Sequence, residues 1–143
     1  MRNRIGNQQL KGRKPNLTAL NGALDTAPRA PAWLPKFAKA EWLRVVPALV
    51  ASRSLAKHEL STVESYCLSV ARIRECEAVI QKDGLTFISP TGESKRRPET
   101  TMLKENIEAA RRLAAECGIT PASRSKNKGG ATENDDNEFG VDI

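Results

Sequence analysis

Apolar residues recur at steps of three and four along three stretches of the chain, the spacing that places side chains on one face of an α-helix. The first stretch runs from about Pro35 to Val50. Pro47 inside it predicts a kink or a break, because proline removes a backbone hydrogen bond and clashes with the preceding turn. The second stretch runs from about Ala56 to Lys82 and carries two adjoining apolar stripes, which indicates two packing partners. Gly84 is its predicted stop, because a residue without Cβ enters a left-handed conformation at little cost.

The third stretch begins at Pro98, since proline is tolerated in a first helical turn. Its aliphatic and small residues follow the heptad spacing of a helix seam: Leu103, Ile107, Ala110, Ala114 and Cys117. Gly118, followed by the apolar Ile119 and then by Pro121, is typical of a helix C-terminus. No apolar periodicity follows, and the sequence predicts disorder over residues 123–143.

Residues 85–97, between the second and third helices, predict a small β-hairpin. Leu85 and Phe87 alternate with their neighbours, "SPTG" supplies turn residues, and "ESKRR" can return as the second strand. A lone two-stranded hairpin is barely stable in water, so it needs support from another surface. The predicted fold class is therefore mainly α: a helical core of about three helices, a hairpin between the second and third, and flexible terminal tails.

Charge divides the chain into three parts. Residues 1–34 hold six cations against one acid, and residues 118–143 hold three cations against five acids. We interpret residues 1–34 as a flexible basic arm, 35–122 as the helical core, and 123–143 as a disordered acidic tail.

Overall composition favours self-association and a polyanionic partner. The 143 residues are 39% hydrophobic and 4% aromatic, which is low for a globular domain, so contacts with other copies would supply missing burial. The formal net charge of +6 favours nucleic acid over an acidic small molecule.

Residues suited to catalysis are scarce. The single histidine, His58, lies near a predicted helix start, a position typical of a solvated residue, and no phosphate-binding glycine loop is present. Cys67 and Cys76 fall on opposite helix faces and Cys117 is remote in sequence, so we expect no metal site and no cofactor. No apolar run is long enough for a membrane span, and we expect a cytosolic, non-enzymatic protein.

Basic residues at two places are candidates for DNA binding. In the arm they surround "GRKP", a sequence that can follow a minor groove, and in the hairpin they form three consecutive cations. The candidates are Arg2, Arg4, Lys11, Arg13, Lys14, Lys95, Arg96 and Arg97. Two alternatives stay open: the arm only solubilises the chain, and the hairpin cations only protect a strand edge from stray pairing.

The order of these elements resembles the small subunit of the terminase of tailed bacteriophages and prophages. The resemblance covers roughly residues 11–126 and rests on "GRKP", "APAWLPKFAKAEWLRVVPAL", "GLTF" and "RRLAAECGITPASR". It implies a non-catalytic protein of the host cytoplasm that forms a homo-oligomer, often a ring, binds double-stranded viral DNA at the packaging site, and recruits the large ATPase–nuclease subunit. Ala56 and Arg97 depart from the capping Thr and Asn that similar sequences place there, which leaves two helix starts without a side-chain cap.

The resemblance also implies surfaces for two protein partners. The apolar side of the hairpin and the third helix would contact neighbouring subunits through Leu85, Phe87, Leu103, Ile107, Ala110 and Ala114. The acidic tail is either an inert solvated segment or a docking segment for the large subunit with Phe139, Val141 and Ile143 as anchors. Two other functions remain as alternatives: a small dimeric DNA-binding transcriptional regulator, and a structural protein of the virion.

Overall fold

The computed structural model describes residues 21–129 and has the predicted mainly α architecture, with an antiparallel hairpin between the second and third helices. Its elements are α1 (Lys36–Ala51), a 3-10 turn (Lys57–Glu59), α2 (Leu60–Asp83), β1 (Thr86–Ile88), β2 (Ser94–Arg96), α3 (Pro98–Glu116) and α4 (Pro121–Gly129). Within the described residues, no helix combines the length and the apolar character that crossing a membrane requires.

Helix α2 packs against both α1 and α3, as its two apolar stripes predicted. On the α1 side, the largest fully buried side chains include Trp42, Val46 and Val63. On the α3 side, the small residues Ala110 and Ala114 join the same hydrophobic core, which lets the two helix backbones approach closely.

Helix α1 covers only part of α2. It runs beside the first part of that helix, where the Tyr66 hydroxyl contacts Glu41 and the Arg74 guanidinium lies over the Phe37 ring. The last buried residue of α2 is Cys76. The last two turns of α2, which lead to the hairpin, therefore contain no buried residue.

Helix α1 continues without interruption through Pro47, so the predicted break does not occur. Proline leaves the carbonyl four residues earlier, that of Leu43, without its usual partner. Both residues lie on the exposed side of the helix, where water can bond to this carbonyl. The helix therefore tolerates the proline.

The start of α2 is stabilised by a side chain that the sequence analysis did not identify. Ala56 cannot cap a helix, but its backbone N–H donates to Glu59 Oε2 at 2.7 Å. The Glu59 N–H in turn donates to the Ala56 carbonyl at 3.0 Å. This pair closes the 3-10 turn, and for that reason α2 proper begins at Leu60, later than predicted.

Glycines end α2 and α3, as predicted. Gly84 and Gly118 have φ angles of +82° and +72°, a conformation that side chains with a Cβ rarely adopt. After Gly118, the Ile119 N–H turns back and donates to the Ala114 carbonyl at 2.9 Å. The predicted start of α3 at Pro98 is also confirmed.

The boundary of the predicted flexible arm is wrong, because residues 21–34 pack along the core. The indole Nε1 of Trp42 donates to the Pro28 carbonyl at 3.0 Å, and Leu34 is only 2% exposed. This segment is irregular, so its apolar side chains are buried one at a time and leave no periodic pattern in the sequence. Residues 1–20 of the arm lie outside the described residues.

The prediction of disorder is wrong for residues 123–129, which belong to α4. The Thr120 hydroxyl oxygen accepts a hydrogen bond from the Ser123 backbone N–H at 3.2 Å, and Pro121 takes the first helical position. Threonine followed by proline is a helix start signal as well as a stop signal for α3. Residues 130–143 lie outside the described residues.

Candidate nucleic-acid and assembly interface

The hairpin presents its cations on two different faces. Phe87 pairs with Lys95, and Thr86 pairs with Arg96. Paired residues share a face and successive residues alternate, so Lys95 lies with Phe87 while Arg96 lies on the opposite face. All strand residues are exposed, so neither face of the hairpin packs against the helices. The consecutive cations therefore cannot act as one surface.

Arg97 fastens the hairpin to the end of α2. Its Nε donates to the Gly84 carbonyl at 3.0 Å, and its Nη2 donates to the carbonyls of Asp83 and Thr86 at 3.0 and 3.4 Å. The Arg97 backbone N–H also donates to the Leu85 carbonyl at 2.9 Å. Carbonyls at a helix C-terminus attract a cation, and the Arg97 guanidinium occupies this position. We call these hydrogen bonds the Arg97 clamp.

Lys95 and Arg96 are the exposed cations of the hairpin strands. The Lys95 Nζ lies 3.5 Å from the Glu93 carboxylate, and both side chains are exposed, so water weakens this ion pair. The other predicted DNA-binding residues and the predicted anchors of the tail lie outside residues 21–129: Arg2, Arg4, Lys11, Arg13, Lys14, Phe139, Val141 and Ile143.

The structure divides the predicted oligomer interface into two groups. Ala110 and Ala114 are only 8% and 9% exposed and belong to the protomer's own core, which corrects their assignment to a contact with another copy. Leu85, Phe87 and Ile107 are exposed, and Leu103 is half-buried. Leu103 and Ile107 lie in a shallow groove of about 370 Å³ along α3, lined by Thr100, Leu103, Lys104, Ile107, Glu108 and Arg111.

A second apolar surface, on α1, was missed by the sequence analysis. Trp33 is 60% exposed, Leu43 is 69% exposed and Phe37 is 38% exposed. The Arg74 guanidinium carbon lies 5.7 Å from the centre of the Phe37 ring, within the range of a cation–π contact. The signal was present, because Phe37, Ala40, Leu43 and Pro47 also follow helical spacing, on the side opposite to the core positions.

A buried carboxylate joins α1 to α2. Glu41 is 3% exposed, and its carboxylate accepts hydrogen bonds from Arg44 Nε at 2.9 Å and from the Tyr66 hydroxyl at 2.8 Å. The hydrogen bonds from Arg44 lower the pKa of Glu41 despite its burial. Burial, together with the Glu41 carboxylate, raises the pKa of Tyr66 to about 12. These residues are bonded to one another, so we interpret them as structural.

The described residues offer little for catalysis. Burial raises the pKa of Cys67 to about 12 and that of Cys117 to about 11, so both remain thiols near neutral pH rather than reactive thiolates. Across residues 21–129, no group of three or more His, Cys, Asp or Glu side chains could hold a metal ion.

Comparison with known proteins gives a family for this arrangement. A family model described as phage terminase, small subunit, matches residues 38–134, which span α1 to the region beyond α4. No curated protein and no solved structure matches the chain.

Proposed function

Because the chain belongs to the phage terminase small-subunit family, whose role is in phage DNA packaging, we propose that it is a non-catalytic packaging adaptor. In this proposal it assembles with copies of itself into a ring, binds double-stranded viral DNA at the packaging site in the host cytoplasm, and brings that DNA to the large ATPase–nuclease subunit.

The hairpin, which the Arg97 clamp holds at its base but whose strands are uncovered, is the observation that carries the proposal of self-assembly. Its strands are exposed on both faces, and Leu85 and Ile88 are 62% and 68% exposed. Two strands alone are marginal in water, and exposed apolar side chains on them favour a protein contact. The groove at Leu103 and Ile107 on α3 offers a further apolar contact. A neighbouring copy that covered both would bury the hairpin side chains that the protomer leaves exposed.

DNA binding is supported by charge and by repetition. Lys95 and Arg96 are exposed at the hairpin, and the segment before residue 21 carries Arg2, Arg4, Lys11, Arg13 and Lys14. Each contact with a phosphate is weak, but a ring repeats it, and tethered contacts form at high effective concentration. We therefore propose that affinity for DNA depends on the oligomer and falls steeply with salt.

Recruitment of the large subunit is proposed for the acidic segment 131–143. Residues 131–143 contain five acids with Phe139, Val141 and Ile143 among them. A basic surface on the large subunit would steer the acids while the apolar side chains dock.

The test is native mass spectrometry with and without a duplex that carries the packaging region, followed by DNA titrations at several salt concentrations. We expect an oligomer larger than a dimer and a steep loss of affinity as salt rises. A dimer that protects one short palindromic site would instead indicate a transcriptional regulator. A monomer that does not bind DNA at low salt would contradict the proposal.

Deletion of residues 1–20 separates the arm from the core. We expect weaker DNA binding and a smaller salt slope with an unchanged oligomer mass, because these residues precede the packed segment. The matched control deletes residues 1–34, which also removes the buried Leu34 and should lower the free energy of unfolding. Loss of the oligomer on the shorter deletion would show that the arm is an assembly element.

A further inference from the structure

Helix α1 is apolar on both of its sides. Its inner side carries core residues, and its outward side presents Phe37 and Leu43 beside the preceding Trp33, with the cations Lys36 and Arg44 among them. We call these five residues the outer α1 face. A helix that is apolar all round is normally covered on all sides, so this face is expected to have an occupant.

The charges of α1 restrict the chemistry of that occupant. The helix contains Lys36, Lys39 and Arg44, and its single acid, Glu41, is buried and bonded to Arg44 and Tyr66. Arg44 is already paired with Glu41. The cations beside the apolar side chains that a partner would meet are therefore chiefly Lys36 and, over the Phe37 ring, Arg74. A second copy of the same face would bring like charges together. DNA would meet the cations but would leave the indole and leucine side chains against hydrated phosphates. An acidic peptide with apolar anchors fits both properties.

We propose that residues 130–143 of this chain occupy the outer α1 face. The segment reads "GATENDDNEFGVDI" and contains five acids, no Lys or Arg, and three large apolar residues at alternating positions, Phe139, Val141 and Ile143. The acids match the cations of the face, and the apolar side chains match Trp33, Phe37 and Leu43. The inference goes beyond the packaging role and needs neither DNA nor the large subunit: the segment occupies α1 in the free protein, and the same three anchors leave α1 when they dock on the large subunit as proposed above.

The length of the chain permits this contact within one molecule. Cys117, at the end of α3, and Leu55, just after α1, line the same small cavity, so the chain leaves α3 close to the last turn of α1. Helix α1 is about 24 Å long and α4 about 14 Å, at 1.5 Å per residue. Phe139 is the tenth residue of the segment and reaches about 33–36 Å when the chain is extended. Leu43 lies about 12 Å from the end of α1, so Phe139 can reach it even if α4 points away.

Photo-cross-linking in the full chain tests the proposal. Phe139 is replaced by a photoreactive benzoylphenylalanine, and the cross-linked peptides are identified by mass spectrometry. We expect products within residues 33–44. Leu43→Glu should reduce their yield by about tenfold, the effect of losing roughly 1.4 kcal/mol of binding. Met102→Glu, a matched change at an exposed apolar residue of α3 that lies outside the proposed assembly contacts, should leave the yield unchanged. High salt should lower the yield of cross-links to residues 33–44 in the chain with an unchanged α1.

Tryptophan quenching gives a second measurement that does not depend on a cross-linker. Trp42 is buried, so quenching by acrylamide reports mainly on Trp33. We expect more quenching in the Phe139→Ser, Ile143→Ser double variant than in the unchanged chain. Cross-links directed to α3 or to the hairpin, or equal quenching in the two proteins, would overturn the proposal. Leu43→Glu that reduces the oligomer mass without changing the cross-links would also overturn it, since another copy would then cover the face.

Discussion

The Arg97 clamp gives the sharpest test of how the hairpin is held, because the sequence alone made this residue a candidate for DNA binding. In Arg97→Ala the carbonyls of Gly84, Asp83 and Thr86 lose their guanidinium donor. A hydrogen bond from a charged donor contributes about 1.5–3 kcal/mol at a buried site. The clamp is partly solvated, so we expect the three bonds together to contribute about 1–2 kcal/mol to hairpin docking.

Amide hydrogen exchange measures this contribution locally. A loss of 1–2 kcal/mol raises the population of the open hairpin by a factor of about 5–30, and exchange over residues 84–97 should accelerate by the same factor. Arg97→Lys keeps the charge but lacks the planar fork of donors, so we expect nearly the same acceleration as in the alanine variant. Circular dichroism of the helices should change little in either variant.

Lys95→Ala is the matched control, because Lys95 is exposed and near only Glu93 among the ion pairs of the described residues. It should weaken DNA binding in a salt-dependent way and leave hairpin exchange unchanged. The reasoning fails if Arg97→Ala leaves exchange unchanged and weakens DNA binding as much as Lys95→Ala does. Arg97 would then act as a phosphate contact rather than as a clamp.

Further predictions concern the core and its edges. Tyr66→Phe should lower the free energy of unfolding in urea by about 1.5–3 kcal/mol, because the buried Glu41 carboxylate loses a donor; an unchanged midpoint would contradict this. The pKa of Tyr66 is raised to about 12, so its contribution to the stability of the fold should be complete below about pH 10 and lost between pH 10 and 12. The pKa of Glu41 is lowered, so its contribution should be present at neutral pH and lost as the pH falls below about 4.5. Thermal unfolding measured against pH would show both losses. Thr120→Ala should destabilise α4 by about 1 kcal/mol, seen as faster exchange confined to that helix. Ala114→Leu should overpack the contact of α2 with α3 and cost about 1–3 kcal/mol, whereas Ile107→Ala should leave unfolding unchanged and weaken self-association.

Local signals in the sequence predicted the helices and the hairpin well. Pro98 and the glycines at 84 and 118 act through their own backbone preferences, and these preferences hold in almost any tertiary context. The two stripes of α2 correctly indicated two neighbours, since each stripe needs its own surface to be buried.

Tertiary context decided the rest. The heptad spacing of α3 showed that one face of the helix packs against a neighbour. Spacing cannot tell whether that neighbour is α2 of the same chain or another copy. Ala110 and Ala114 were assigned to another copy, but they belong to the core of the protomer. Glu41 looks like an ordinary surface acid until α2 places Tyr66 against it. Leu34 is buried from an irregular segment, in which burial leaves no period to recognise.

The surfaces that the protomer leaves uncovered are either apolar or cationic, and this difference indicates which kind of partner binds each. The hairpin, the α3 groove and the outer α1 face all present exposed apolar side chains, which hydrated DNA covers poorly and protein covers well. Lys95 and Arg96 present charge on opposite, exposed faces of the hairpin, where phosphates can reach them. If neighbouring copies cover the hairpin and the α3 groove, each added copy adds burial to the assembly and cations to the DNA surface together. Assembly and DNA affinity should therefore rise in parallel, and a variant such as Ile107→Ala, which leaves every cation in place, should lose DNA affinity only because it loses copies.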